Sequence, residues 1–157
     1  MTPAIKLAQK NKIKHTIHEY QHDANHPSFG EEASEKLSVS QAQVFKTLVI
    51  ELDTKALAVC IIPVSHTLNL KAADKRANAK KATMADKHDV QRSTGYVLGG
   101  VSPLGQKKRL LTLIDDSANA FETIYVSAGK RGLEIELTPQ DLQSLCSAQF
   151  ASIKNNV

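Results

Sequence analysis

Four of the chain's seven glycines fall between Ser93 and Lys108, in the run STGYVLGGVSPLGQKK. Gly95, Gly99, Gly100 and Gly105 bracket Tyr96-Val97-Leu98, an apolar segment too short for a helix. Glycine permits positive φ and close approach to the backbone. Pro103 fixes its own φ and pushes Ser102 towards an extended conformation. The stretch predicts a short strand, Tyr96 to Leu98, that opens into a shaped loop with bare backbone amides. Such amides can receive a carbonyl oxygen or a phosphate. Glycine clusters serve tight turns about as often, so the loop alone does not assign a ligand. The Gly100 to Gly105 spacing matches a phosphate-binding P-loop, but Gln106 stands where the lysine belongs and the match fails on chemistry.

Around this loop the chain alternates short helices and strands. Thr2-Pro3 starts a helix that runs to about Lys12. His15 to Tyr20 reads as a strand and Gln21 to Ser28 as a polar loop containing Pro27. Gly30 to Leu37 is a short helix with Glu31 and Glu32 at its positive end. Ser40 with Gln43 forms a capping-box pair. Val44–Leu52 and Ala56–Val64 are apolar strands joined by the turn Asp53-Thr54-Lys55, which makes a hairpin. Leu70 to Ala79 is a basic helix, and Met84-Ala85-Asp86 leads into another that ends near Arg92. Leu110–Ile114, Thr123–Ser127 and Leu133–Leu137 are strands, the last two a hairpin turning through Ala128 to Gly132. Thr138-Pro139-Gln140-Asp141 is a helix start, and the final residues are expected to fray. Hairpin-linked strands with interspersed helices predict an α+β fold. It is a single compact domain over residues 1–157, with a mixed, mostly antiparallel sheet and flanking helices.

Length and charge narrow the classes. A chain of 157 residues can bury a sizeable core. No apolar run approaches a membrane span, and Thr2-Pro3 opens a lysine-containing helix in place of a signal peptide. A cytoplasmic protein with no membrane association is the expectation. Cys60 lies in an apolar run and Cys146 ends an amphipathic helix, so both read as core; two cysteines cannot build a disulfide framework. A net charge of +4 suits a nucleic-acid partner without requiring one. Aromatics at 4% argue against an extensive base-stacking platform.

Lys46 is the most informative single residue, a lysine between Phe45 and Thr47 in an otherwise apolar strand. Its stem can pack on the sheet with the ammonium in water. Alternatively, the cation sits at the floor of a pocket that receives a phosphate or carboxylate. His15, His18, His22 and His26 are the only histidine concentration, and without partner cysteines they do not make a zinc site. Ser93, Ser102 and Ser127 are candidate hydroxyls with no nucleophile-elbow motif around them. Lys71–Lys81, Gln106–Arg109 and Lys130-Arg131 are basic clusters, each by itself an ordinary solvated face.

Taken together, TPAIKLAQKNKI, VFKTLVI, STGYVLGGVSPLGQKKR and ETIYVSAGKRGLEIELTPQDL resemble the YbaK/EbsC family across essentially the whole chain. These are free-standing aminoacyl-tRNA deacylases, similar to the editing domain of bacterial prolyl-tRNA synthetases. The resemblance implies that fold, no metal or organic cofactor, and aminoacyl-tRNA as substrate, engaged at its acceptor end. It also implies association with prolyl-tRNA synthetase. The family's essential lysine is met by Lys46 and its Gly-x-x-x-Pro motif by Gly99-Gly100-Val101-Ser102-Pro103. Catalytic roles are thus expected for Lys46, Gly99, Gly100 and Ser102. Substrate contacts are expected at Tyr20, Phe29, Phe45, Thr47, Val101, Pro103 and Ser127. The activity implied is trans-editing of mischarged tRNA, mainly Cys-tRNA(Pro) and also Cys-tRNA(Cys), assisted by the substrate's own thiol. Two alternatives stand beside it: a deacylase for another small amino acid, and a non-catalytic tRNA-binding module.

Overall fold

A computed structural model describes residues 1–26 and 28–156. Pro27 and Val157 lie outside the described residues. The elements in chain order are α1 (Pro3–Lys10), β1 (Thr16–Glu19), α2 (Phe29–Leu37), β2 (Phe45–Leu52), β3 (Leu57–Pro63), α3 (Leu70–Arg76), β4 (Ala82–Met84), α4 (Lys87–Thr94), β5 (Leu111–Asp115), β6 (Ile124–Lys130), β7 (Leu133–Leu137), α5 (Pro139–Cys146) and β8 (Gln149–Ala151).

The strands form two sheets rather than one. The smaller is antiparallel, in the order β1-β7-β6; the larger is mixed, in the order β4-β2-β3-β5-β8. The β2–β3 and β2–β4 pairs are antiparallel, and β3–β5 and β5–β8 are parallel. The sheets touch where Val44 bridges Tyr125 in parallel. Two-residue alternation then divides the apolar side chains. Phe45, Val49, Val59, Ile61 and Ile114 of the large sheet meet Ile124, Val126, Leu133, Ile135 and Leu137 of the small one in the main core. Ile50, Cys60, Ile62 and Leu113 point the other way, towards Ala73 of α3. A third cluster gathers Ala33 of α2, Val44, Val64 and Tyr125.

Helix starts follow their caps. The Ile5 amide donates to the Thr2 hydroxyl at 3.3 Å, and the Asp141 amide to the Thr138 hydroxyl at 3.1 Å, with Pro3 and Pro139 in the first turns.

Three expectations need correction, and one strand goes beyond them. Tyr96 to Leu98 is not a strand: Gly95 ends α4 in the left-handed conformation, and the Thr94 hydroxyl then accepts from the Tyr96 amide, folding the chain into a turn. Ala82–Met84 is a strand, since its backbone pairs with Ile50–Leu52 at the sheet edge. Gln43 does not close a capping box, because its side-chain amide donates to the Thr123 carbonyl instead. The C-terminal segment is docked rather than frayed: β8 extends the large sheet and Ile153 is fully buried.

Asp115 secures that segment. It is fully buried, and its carboxylate accepts from the amides of Ser117, Ile153 and Lys154 at 3.1, 2.9 and 3.0 Å. Asp115→Ala strands those donors in a dry site, where each unsatisfied group costs about 1–3 kcal/mol. Urea unfolding of the variant should show a midpoint lowered by at least about 2 kcal/mol of stability, with the slope against denaturant unchanged.

Candidate functional site

An apolar cleft of about 400 Å³ opens between α2, the start of β2, the outer face of the small sheet and the glycine loop. Each element reaches it for a local reason. Alternation on β7 sends Leu133, Ile135 and Leu137 into the core and Glu134 to the opposite face. Register then sets Glu134 opposite Ser127 on β6 and His18 on β1, with Tyr20 just beyond the strand end. Phe29 opens α2, and Gly99 lies flat against its ring, since a Cβ there would come within 3.0 Å of Phe29 Cε2.

Of the residues singled out from sequence, the cleft brings together Tyr20, Phe29, Phe45, Lys46, Thr47, Gly99, Val101 and Ser127. Gly100, Ser102 and Pro103 do not line it. The Gly100 amide is committed to the Val97 carbonyl at 3.0 Å. Ser102 is fully buried, and its hydroxyl accepts from the Leu104 amide at 3.2 Å. Pro103 is buried on the far side, facing a second cavity beside Cys146. The motif's glycine and central valine thus face the cleft, while its other three residues build the wall behind.

Two polar side chains in the cleft hold unusual states. Lys46 has its ammonium pKa lowered by burial, a shift the Glu31 charge opposes. The Thr47 hydroxyl oxygen is buried without a hydrogen-bond partner. A buried hydroxyl left unpaired is uncommon and is satisfied when a ligand supplies the missing group. The Ser127 hydroxyl accepts from the Gly129 amide at 3.1 Å.

Besides Lys46, the charged residues of the lining are Arg131 and Glu134, which sequence reading did not place in the site. The Arg131 guanidinium lies 4.2 Å from the Phe29 ring centroid. It donates to the Glu32 carboxylate at 3.2 Å and to the Asp23 and His26 carbonyls at 2.6 and 3.3 Å. Glu32 is fully buried and also accepts from the Asp23 amide at 2.6 Å. Burial opposes its ionisation, but the Asp23 amide and Arg131 outweigh that and hold its carboxyl below the usual range. This pair ties Asp23 and His26 to the β6–β7 turn behind Phe29. Glu134 is in the opposite state: burial pushes its carboxyl up to about 8. Burial, then the Glu134 charge, raises the neighbouring Tyr20 phenol to about 12. Nothing in LEIEL marks Glu134 as more than a solvent-side residue; only its shared face with Ser127 and Tyr20 pointed to the cleft.

The described lining contains no cysteine and no histidine. No group of three His, Cys, Asp or Glu side chains that could hold a metal ion occurs among the described residues. The cleft thus presents the Lys46 ammonium, the Thr47 and Ser127 hydroxyls, two residues of the glycine loop and an apolar wall.

The family model for the aminoacyl-tRNA editing domain matches residues 25–145, and the chain belongs to that family. The chain is 36% identical over 152 residues to the Enterococcus faecalis protein named "Putative Cys-tRNA(Pro)/Cys-tRNA(Cys) deacylase EbsC", covering 97% of this chain and 92% of that one. The fold superposes on "a putative trans-editing enzyme for prolyl tRNA synthetase" with a TM-score of 0.82 at 21% identity, covering 99% of both chains. It superposes on the hypothetical protein APE2540 with a TM-score of 0.87 at 21% identity, covering 98% of this chain and all of that one.

Glu134 makes stability pH-dependent. Its carboxyl titrates near 8 when folded, against an ordinary 4.5, so between those values the folded state keeps a proton the unfolded state releases. Its contribution is complete below pH 4.5 and is lost as pH rises through 8. Urea titrations at pH 5 and pH 8.5 should show the wild type losing stability across that interval, and Glu134→Gln losing distinctly less. Arg131→Ala leaves the Glu32 anion buried alone and should cost about 3–5 kcal/mol. Adding Glu32→Gln should restore part of that loss, read by the same unfolding assay.

Proposed function

We propose that the protein is an aminoacyl-tRNA deacylase that clears cysteine from mischarged tRNA, mainly Cys-tRNA(Pro) and also Cys-tRNA(Cys). The observation carrying this reading is the convergence of Lys46, Thr47, Tyr20 and Ser127 with Gly99 and Val101 of the glycine loop on one cleft. In this reading Lys46 pairs with the phosphate of the terminal nucleotide and fixes the ester. Backbone amides of the glycine loop stabilise the oxyanion; Gly100 is not among them, its amide being already given to Val97.

In this reading the substrate supplies the nucleophile. The cysteine sulfur attacks its own ester carbonyl, a carbon–sulfur bond forms, and the carbon–oxygen bond to the ribose breaks. The thiol proton passes to the ribose oxygen, and the released thiolactone is opened by water. The apolar side chains near the loop select small side chains by size and separate similar ones poorly. Choice of tRNA then falls to association with prolyl-tRNA synthetase. The expected setting is the cytoplasm, where aminoacyl-tRNA is made; no helix among the described residues is long and apolar enough to cross a membrane.

The test is release of labelled amino acid from Cys-, Ser-, Ala- and Pro-tRNA(Pro) by wild type and Lys46→Ala. Rapid loss of cysteine alone is expected, falling about a hundredfold in the variant as the ester loses its positioning contact. Equal hydrolysis of Ser-tRNA and Cys-tRNA would eliminate the thiol-assisted step. Retention of every ester with tRNA still bound would replace the enzyme by a binding module.

A further inference from the structure

Val97 and Leu98 are adjacent aliphatic residues at the cleft mouth, 59% and 61% exposed. Their exposure does not come from a loose loop. Tyr96, immediately before them, is buried, and its hydroxyl donates to the Leu104 carbonyl at 2.6 Å. Immediately after them, the Gly100 amide closes the turn onto the Val97 carbonyl at 3.0 Å. The two side chains are thus held outward on a fixed base, where water makes them costly by about 25 cal/mol per Å² of apolar surface.

The knuckle is continuous with the cleft, because Leu98 and Gly99 form part of its rim. It is also flanked by cations. The Lys107 stem runs along Gly95, its Cγ 3.1 Å from where a Cβ would stand, and its amide donates to the Thr94 carbonyl at 3.1 Å. On the other side Gly100 rests on the Lys130 backbone, with a Cβ position 2.7 Å from the Lys130 Cα. Both lysines are exposed, and neither is in an ion pair among the described residues. An apolar ridge between two unpaired cations complements a single-stranded nucleic acid, whose bases have apolar faces and whose linkages carry one negative charge each.

We propose that the Val97–Leu98 knuckle, between Lys107 and Lys130, holds the unpaired nucleotides on the 5′ side of the tRNA's terminal adenosine. This rests on the deacylase reading, which puts that adenosine in the cleft. The bases lie against the aliphatic side chains and the phosphates sit on the lysines. Without hydrogen-bonding groups on the ridge, the contact is indifferent to base identity, as suits an end that is the same in every tRNA.

The test compares Lys107→Glu/Lys130→Glu and Val97→Asp with wild type on two substrates: the cysteinyl ester of adenosine alone, and a cysteinylated single-stranded oligoribonucleotide ending in CCA. The expected result is a KM raised about tenfold or more for the oligonucleotide, with the adenosine ester turned over as in wild type. The slope of log affinity against log salt should fall by roughly 1.4 in the double variant, as for two lost single-strand phosphate contacts. Equal effects on both substrates, or on neither, would overturn the proposal. Binding of uncharged, fluorescein-labelled CCA oligonucleotide, followed by anisotropy, reads the surface without turnover. Wild-type binding that the variants lose would uphold the surface even if no ester were hydrolysed, and so separates this inference from the deacylase reading. Stronger binding of a blunt RNA duplex than of the single strand would also overturn it.

Discussion

Backbone lies against backbone where the 95–105 loop crosses the molecule, and the site depends on that close approach. At Gly100 a side chain would collide with the Lys130 Cα at 2.7 Å, and at Gly105 with the Pro3 carbonyl carbon at 2.7 Å. The loop is wedged between the N-terminal turn of α1 and the β6–β7 hairpin, and the Thr2 hydroxyl donates to the Ala128 carbonyl across the wedge. Wall and rim are consequently parts of one packed body, and the cleft is shaped before any ligand arrives. Preformed geometry of this kind is what a positioning enzyme needs, since most of its rate comes from holding reacting groups in place.

Behind the opposite wall the same rigidity is reached electrostatically. The Glu32–Arg131 pair is worth little as a net contribution to stability, because desolvating two charges offsets most of their attraction. Its effect is geometric: one guanidinium satisfies a buried carboxylate, caps two loop carbonyls and lies over Phe29. The cleft floor works by a different rule. Glu134 is in no ion pair among the described residues, and burial favours its neutral acid, so the cleft carries less fixed negative charge than its sequence suggests.

Legibility in the sequence followed the range of the interactions. Thr2-Pro3, Thr138-Pro139 and the β2–β3 hairpin were readable because caps, prolines and alternation act over a few residues. Lys46 was readable because a charge in an apolar strand has few explanations. Tyr96–Leu98 misled, since an apolar triplet resembles a strand and only the Thr94 hydroxyl and the Gly95 cap show that it turns. The division into two sheets was hidden, as β1 reaches β7 across more than a hundred positions, with Thr16 opposite Glu136. Glu134 and Arg131 were hidden for the same reason. An acid in LEIEL or an arginine in a turn looks solvated until distant segments cover it. Of the glycine-proline motif, the spelling was visible but not which residues face the cleft; that depends on where the Gly100 amide goes.

The first helix and the last strand also say how the molecule must come together. Thr2 bonds a residue 126 positions later, and β8 closes the large sheet only when the Ile153 and Lys154 amides reach Asp115. Contacts this remote slow folding, because loop entropy is lost before they form. A chain halted short of Gln149 would leave the Asp115 carboxylate with the Ser117 amide alone and one edge of the large sheet bare.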